Sequence, residues 1–144
     1  MLRQLTSRDK KTPVSAPDIQ NQQNQLSESV TEVLAQAQQL GATQAEANAS
    51  AGSGLSVTVR KQDVETLEYH RDQSMTMTVY FGHRKGSAST SDMSPASLKE
   101  TVTKACSLAR FGAEDEFAGL ADAELMATEF PDLDLYHPWN LDTD

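Results

Sequence analysis

Cysteine is nearly missing from this chain. Cys106 is the single one in 144 residues, so no internal disulfide can form and a reducing, cytosolic setting is the default. No apolar run reaches ten residues, too few for a membrane-spanning helix. Met1-Leu2-Arg3-Gln4-Leu5-Thr6-Ser7-Arg8 has no apolar core, so no ordinary secretory signal is expected. Lys and Arg are absent between Ala113 and Asp144, where ten of the 21 acids lie. The net charge of −9 therefore belongs to that segment, and the first 112 residues come to +1. With no basic stripe to displace counterions, nucleic acid is not an expected direct partner. The acidic segment reads as the solvated surface of a weakly packed stretch, with docking onto a basic surface as the alternative.

What remains is enough for one domain. A chain of this length buries about 70 % of its unfolded surface, and 38 % apolar residues can supply a core without disulfides or metal. Leu26, Val30, Val33, Leu34, Ala37 and Leu40 repeat at helical spacing. They predict a helix from Asp18 or Leu26 to Leu40, stopped by Gly41. The period then becomes two. Ala45, Ala47 and Ala49 form a weak strand, and Gly52-Ser53-Gly54 reads as a turn into Leu55, Val57 and Val59. Val64, Leu67 and Tyr69 follow, with a bulge expected between Val64 and Leu67. Arg71-Asp72-Gln73-Ser74 reads as another turn, before the clean alternation of Met75, Met77, Val79 and Phe81. Gly82 to Gly86 turns into the hydroxyl-rich Ser87 to Ser91. Short turns between strands mean antiparallel pairing.

Ser94 and Pro95 mark the N-cap and first residue of a second helix, with Leu98, Val102, Ala105, Cys106 and Ala109 on its apolar face. A short third helix is expected from Asp122 to Thr128, and Pro131 to Pro138 reads as an extended crossing segment. The fold class is α+β: an antiparallel sheet of four to five strands flanked by two main helices, in the order helix, strands, helix. The expected division is a flexible leader over 1–25, a core over 26–112 and an acidic C-terminal segment over 113–144.

A search for chemistry finds no catalytic constellation. His70, His83 and His137 have no spacing that places two imidazoles on one helix face. Cys106 sits on a core-facing stripe and reads as packing. Glu65 and Glu68, three apart, do not form an acid–base pair by spacing. The serines of Ser87 to Ser91 have no His/Asp pair to activate them, so a serine hydrolase is the weakest option. His83, Arg84 and Lys85 form the densest positive cluster of the core, a solvated turn or a contact for a carboxylate. With Ser87 and Ser89 they are the candidate contact residues for a partner or a peptide.

Several segments together resemble the N-terminal domain of PmbA/TldE proteins, in the TldD/PmbA family once called modulators of DNA gyrase. Thr78-Val79-Tyr80 leads through Arg84-Lys85-Gly86-Ser87-Ala88-Ser89-Thr90-Ser91-Asp92 to Ser94-Pro95. Ala118-Gly119-Leu120-Ala121-Asp122 and Pro131-Asp132-Leu133-Asp134-Leu135-Tyr136-His137-Pro138 follow in order, and Val64-Glu65 with Leu67-Glu68-Tyr69 precede them. The match runs from Leu26 to Pro138.

The resemblance implies a cytoplasmic zinc peptidase, a TldD/TldE heterodimer that processes or degrades unfolded peptides. Zinc is then expected only in the TldD-type partner subunit, with no cofactor, metal ligand or catalytic residue in this chain. The expected partners are a TldD-like subunit and unfolded peptides, with neither nucleic acid nor membrane; a homodimer is a further option. Family chains continue into a second domain where this sequence stops at Asp144, so the chain reads as an N-terminal domain serving assembly and substrate guidance. A stand-alone peptide-binding adaptor with no enzymatic role is the alternative.

Overall fold

The computed structural model describes residues 16–129, 131–134 and 137. Helix α1 (Ala16–Gln39) is followed by strands β1 (Gln44–Arg60), β2 (Asp63–Phe81) and β3 (Arg84–Thr90), then helix α2 (Pro95–Phe111) and a 3-10 turn at Ala123–Leu125. The strands make one antiparallel sheet in the order β1-β2-β3. Both helices pack on the same face of it, and against each other. The class is α+β as expected, and the helix–strands–helix order holds.

Among the described residues the sheet has three strands, not four to five. The two segments read as turns, Gly52-Ser53-Gly54 and Arg71 to Ser74, are strand interior, and they face each other. Gly52 pairs with Asp72, Ser53 with Arg71 and Gly54 with His70. Two runs of turn-forming residues in register thus become part of one long hairpin. A side chain at Gly54 would meet His70 Nε2 at 2.4 Å, so the imidazole fills the space above the glycine and holds the ladder together there.

Burial explains the rest. Met75, Met77 and Val79 of β2 are fully buried, and the row Ala45, Ala47 and Ala49 beside them is small enough for α1 to approach. From α1 come Val33 and Ala37, from α2 Leu98, Val102, Ala105, Cys106 and Ala109. The expected bulge is present: Thr58 pairs with Thr66 but Val59 with Val64, leaving Glu65 as the extra residue. It returns Val64 to the same face as Leu67. The hairpin tip is Lys61-Gln62, both left-handed at φ 53 and 72, a turn ordinarily built from Asn and Gly.

Helix ends follow their signals. Gly41 closes α1 at φ 89, and Ser94 caps α2, its hydroxyl accepting from Ser97 N at 3.4 Å, with Pro95 next. The α1 helix takes in Gln20 to Gln25, which the leader division had set apart. The third helix shrinks to Ala123–Leu125 because none of its residues finds a buried surface, and one turn alone cannot offset its own ordering. Residues 1–15 of the leader lie outside the described residues, as do Leu135, Tyr136 and Pro138 of the crossing segment.

At Gly86, β3 lies close against the backbone of α2. A Cβ at Gly86 would stand 2.3 Å from both Ala105 O and Ala109 N, backbone that cannot swing aside. Gly86→Ala is expected to destabilise the chain by about 3 kcal/mol or more, lowering Tm by roughly 10 °C. Gly52→Ala, with nothing within 4 Å and no positive φ, should be neutral or slightly stabilising. Thermal melting of both variants checks the pair, and equal losses would contradict this packing.

Candidate functional site

The sheet face without helices is polar, and the register sets its groups in rows. Gln44, Tyr80 and Lys85 stand side by side, then Glu46, Thr78 and Ser87, then Asn48, Thr76 and Ser89, then Ser50 with Ser74. Alternation requires this, because the intervening residues of each strand face the helices. The hydroxyls satisfy one another: Ser50 Oγ lies 2.8 Å from Ser74 Oγ, and Thr78 Oγ1 3.0 Å from Ser87 Oγ. Neither pair involves a base. Tyr80 is buried at one end of the face. Burial, and after it the charge and hydrogen bond of the Glu46 carboxylate, hold its phenol above the usual range.

At the same end, β2 turns into β3 through Gly82 (φ 60) and His83. Thr43 braces the turn, its hydroxyl donating to Tyr80 O and accepting from Gly82 N, both at 3.0 Å. The chain beyond α2 returns here. Asp115 N donates to His83 O at 3.0 Å, Glu114 forms a β-bridge with Arg84, and Leu120 N donates to Gln44 Oε1 at 3.0 Å. His83 Nδ1 lies 3.4 Å from Ala118 O. The result is an open groove of about 480 Å³ bordered by Thr43, Gln44, His83, Phe117 and Leu120. Phe117 is 87 % exposed beside it.

The five candidate residues therefore do not form one cluster. His83 borders the groove. Lys85, Ser87 and Ser89 lie on the open face, whereas Arg84 pairs with Phe81 and projects from the helix-bearing face. The return of Glu114 to Leu120 has no sequence signal beyond its acidity. Cys106 is packing as read, its thiol pushed up by burial against a smaller opposing effect of Arg110.

Residues 45–109 match the family model of the PmbA/TldA metallopeptidase domain 1. The chain is 40 % identical over 123 residues to a metalloprotease PmbA homologue of Haemophilus influenzae, covering 85 % of this chain and 27 % of that protein. It is 44 % identical over 100 residues to the metalloprotease PmbA of Escherichia coli O157:H7, covering 69 % and 22 %. Residues 45–109 form a PmbA/TldD-family domain. The chain spans about a quarter of the length of these curated relatives. The fold agrees with a crystal structure from Bacteroides thetaiotaomicron, described as a modulator of DNA gyrase. That likeness has a TM-score of 0.68 at 22 % identity and covers 86 % of this chain and 26 % of the other.

A metallopeptidase family implies a metal, and the described residues of this PmbA/TldD chain do not suit one. No three His, Cys, Asp or Glu side chains among them converge on a point. His70 lies against Gly54, His83 at the β2–β3 turn, and Cys106 in the core. No step is assigned to a metal on this domain. Among the described residues no helix is long and apolar enough to cross a membrane.

The raised Tyr80 phenol makes stability depend on pH in one direction. Its contribution is whole below about pH 10, the unfolded value, and is lost as pH rises toward the higher folded value, because the unfolded chain ionises first. Urea midpoints between pH 9 and pH 11.5 should fall more steeply for the wild type than for Tyr80→Phe. Parallel profiles would show that Tyr80 carries no such linkage.

Proposed function

We propose that this chain is the non-catalytic N-terminal domain of a PmbA/TldE-like subunit. In this reading it serves in a cytoplasmic TldD/TldE-type zinc peptidase that processes or degrades unfolded peptides, and its part is assembly and substrate guidance. The observation that carries the reading is the match of residues 45–109 to the first domain of a metallopeptidase family. Catalytic metal chemistry is then supplied by a TldD-like partner subunit.

The open face supports guidance. An unfolded peptide offers mainly backbone amides and carbonyls, the groups that a sheet edge recognises without regard to sequence. The outer edge of β3 pairs, among the described residues, only at Arg84 with Glu114. Lys85, Ser87 and Ser89 stand beside the rest of that edge. Ser87 and Ser89 supply hydroxyls and Lys85 a cation for a peptide carboxylate.

In the reconstituted two-subunit enzyme acting on an unstructured peptide, Lys85→Glu combined with Ser87→Glu should raise KM about five- to tenfold with kcat nearly unchanged, the signature of lost substrate binding. An unchanged KM would remove this edge from substrate handling. Failure of the subunit to capture a TldD-like protein, with the 144-residue chain still binding a labelled unstructured peptide, would replace the enzyme reading with that of a peptide-binding adaptor.

A further inference from the structure

The two-residue loop Gly82-His83 fixes the phase of β3. Phe81 and Arg84 close that loop, so they are a pair that exchanges both of its main-chain hydrogen bonds. The register runs unbroken to Thr90, and the phase alternates along it. Arg84, Gly86, Ala88 and Thr90 turn their N–H and C=O groups toward β2, and Lys85, Ser87 and Ser89 turn theirs outward. The chain returning from α2 obeys the same phase. Asp115 N donates to the outward His83 O at 3.0 Å, and Glu114 bridges Arg84 in the antiparallel sense. Gly112 follows closely, since a Cβ there would stand 3.3 Å from Lys85 O. The chain's own backbone thus closes the edge of β3 as far as Lys85. Beyond it, among the described residues, no main-chain bond reaches Ser87 or Ser89 from outside the sheet.

Building on the reading of this chain as a peptide-guiding subunit, we propose that Ser87 and Ser89 are the two rungs that take up an extended peptide. The peptide runs antiparallel to β3 and bonds to their main-chain N–H and C=O groups, not to their hydroxyls. Three observations select a peptide backbone as the occupant. The first lies within the fold itself. The rung at Arg84 is already filled by an extended stretch of chain, Glu114-Asp115, and a peptide continues that ladder in the same sense. The second is that the edge is not blunted. Sheet edges are ordinarily guarded by charge, proline or a bulge, and β3 has none of these from Gly86 to Thr90. The third is order. Gly86 seats the strand on the backbone of α2, and Thr78 Oγ1 lies 3.0 Å from Ser87 Oγ, so the edge is shaped before a ligand arrives.

The phase also defines the ligand. Rungs two residues apart stand about 7 Å from each other, so a ligand must be extended and must offer N–H groups at two positions separated by one residue. Proline or an N-methylated residue at either position is excluded. Antiparallel addition sets the direction. The C-terminal end of the peptide points toward Lys85 and Gly112, where the returning chain stops it, and the N-terminal end points toward Ser91.

Amide hydrogen exchange of the 144-residue chain, read by NMR with and without a fluorescein-labelled decapeptide of alternating threonine and valine, tests this assignment. In the free chain the Ser87 and Ser89 amides should exchange fast and those of Gly86 and Ala88 slowly. With the decapeptide, Ser87 and Ser89 should slow by about tenfold or more. In fluorescence anisotropy, Ser87→Pro and Ser89→Pro should each weaken binding about tenfold, because each deletes an outward N–H that an edge strand can spare. Ser87→Ala should stay within about twofold of the wild type. Circular dichroism checks that the variants are folded, and one folded proline variant is enough. The decapeptide N-methylated at its central residues should not bind. A nitroxide on its C-terminal end should broaden the Lys85 amide, and one on its N-terminal end that of Ser91. Binding that leaves Ser87 and Ser89 unprotected, or that survives the proline substitutions, overturns these rungs and leaves peptide guidance by another surface standing. No binding by the wild-type chain overturns guidance as well. Slow exchange at Ser87 and Ser89 without peptide overturns the peptide as occupant, in favour of another part of the chain or, where it depends on concentration, a second copy. The reverse nitroxide pattern overturns the antiparallel sense.

Discussion

The contact of α2 with β3, backbone to backbone at Gly86, is the constraint on which the remaining geometry depends. With no side chain at Gly86, Ala105 and Ala109 of the helix descend onto the strand. That depth seals Met75, Met77 and Val79 beneath the helix layer. It also fixes where α2 ends. Arg110 there stacks over Phe81 at 4.9 Å and donates to Leu40 O, tying the last turns of both helices to the sheet. From Gly112 the chain has one short path to the β2–β3 turn, where Asp115 N meets His83 O. The groove beside His83 is thus a consequence of how closely the helix sits.

β1 and β2 continue past the end of β3 as a two-stranded arm. Inward and outward positions alternate identically along the whole hairpin, since a strand's period does not change with what covers it. One face thus carries alanines and methionines where the helices press on it, then Ala51, Gln73, Ser53 and Arg71, and farther out the exposed Val57, Leu67, Val59 and Val64. A two-stranded ribbon is at best marginally stable in water, and this one ends in a left-handed Lys61-Gln62 turn that costs about 1–2 kcal/mol per residue. Cross-strand packing of Val57 on Leu67 and Val59 on Val64, with Arg60 salt-bridged to Glu65 at 3.2 Å, holds its form.

Most of the fold was legible in the residues. Helical spacing from Leu26 to Leu40, the Gly41 stop, the Ser94-Pro95 cap and the bulge between Val64 and Leu67 all appear where local chemistry placed them. Strand number failed for a reason that local reading cannot repair. Gly52-Ser53-Gly54 and Arg71 to Ser74 each carry turn composition, and only their mutual pairing, with Gly52 opposite Asp72 and Ser53 opposite Arg71, turns both into strand. The candidate site was legible in part. Alternation placed Ser87 and Ser89 on one face with Lys85, but Arg84, adjacent in sequence, necessarily points the other way. The run of Arg84 and Lys85 looks like one charge cluster and is two. The path of Glu114 to Leu120 was not legible beyond its acidity and the family-like Ala118 to Asp122, because what holds it are a bridge to Arg84 and single hydrogen bonds to His83 and the Gln44 side chain.

The chemistry of the open face bears on what kind of recognition it supports. A hydroxyl becomes a nucleophile when a base accepts its proton; here Ser50 and Ser74 hold each other, and Thr78 holds Ser87. Cys106, the other nucleophilic side chain, is buried with its thiol pushed up, toward the protonated form. Tyr80 is held as a neutral phenol beside Glu46. Each of these groups is thus kept in a less reactive state, while among the described residues the outer edge of β3 pairs only at Arg84. In the proposed reading, such a surface selects by backbone extension rather than by side chain, as a handler of unfolded chains requires. Side-chain recognition would demand enclosed pockets, and the groove beside His83 is open to solvent and bordered by segments held through single hydrogen bonds.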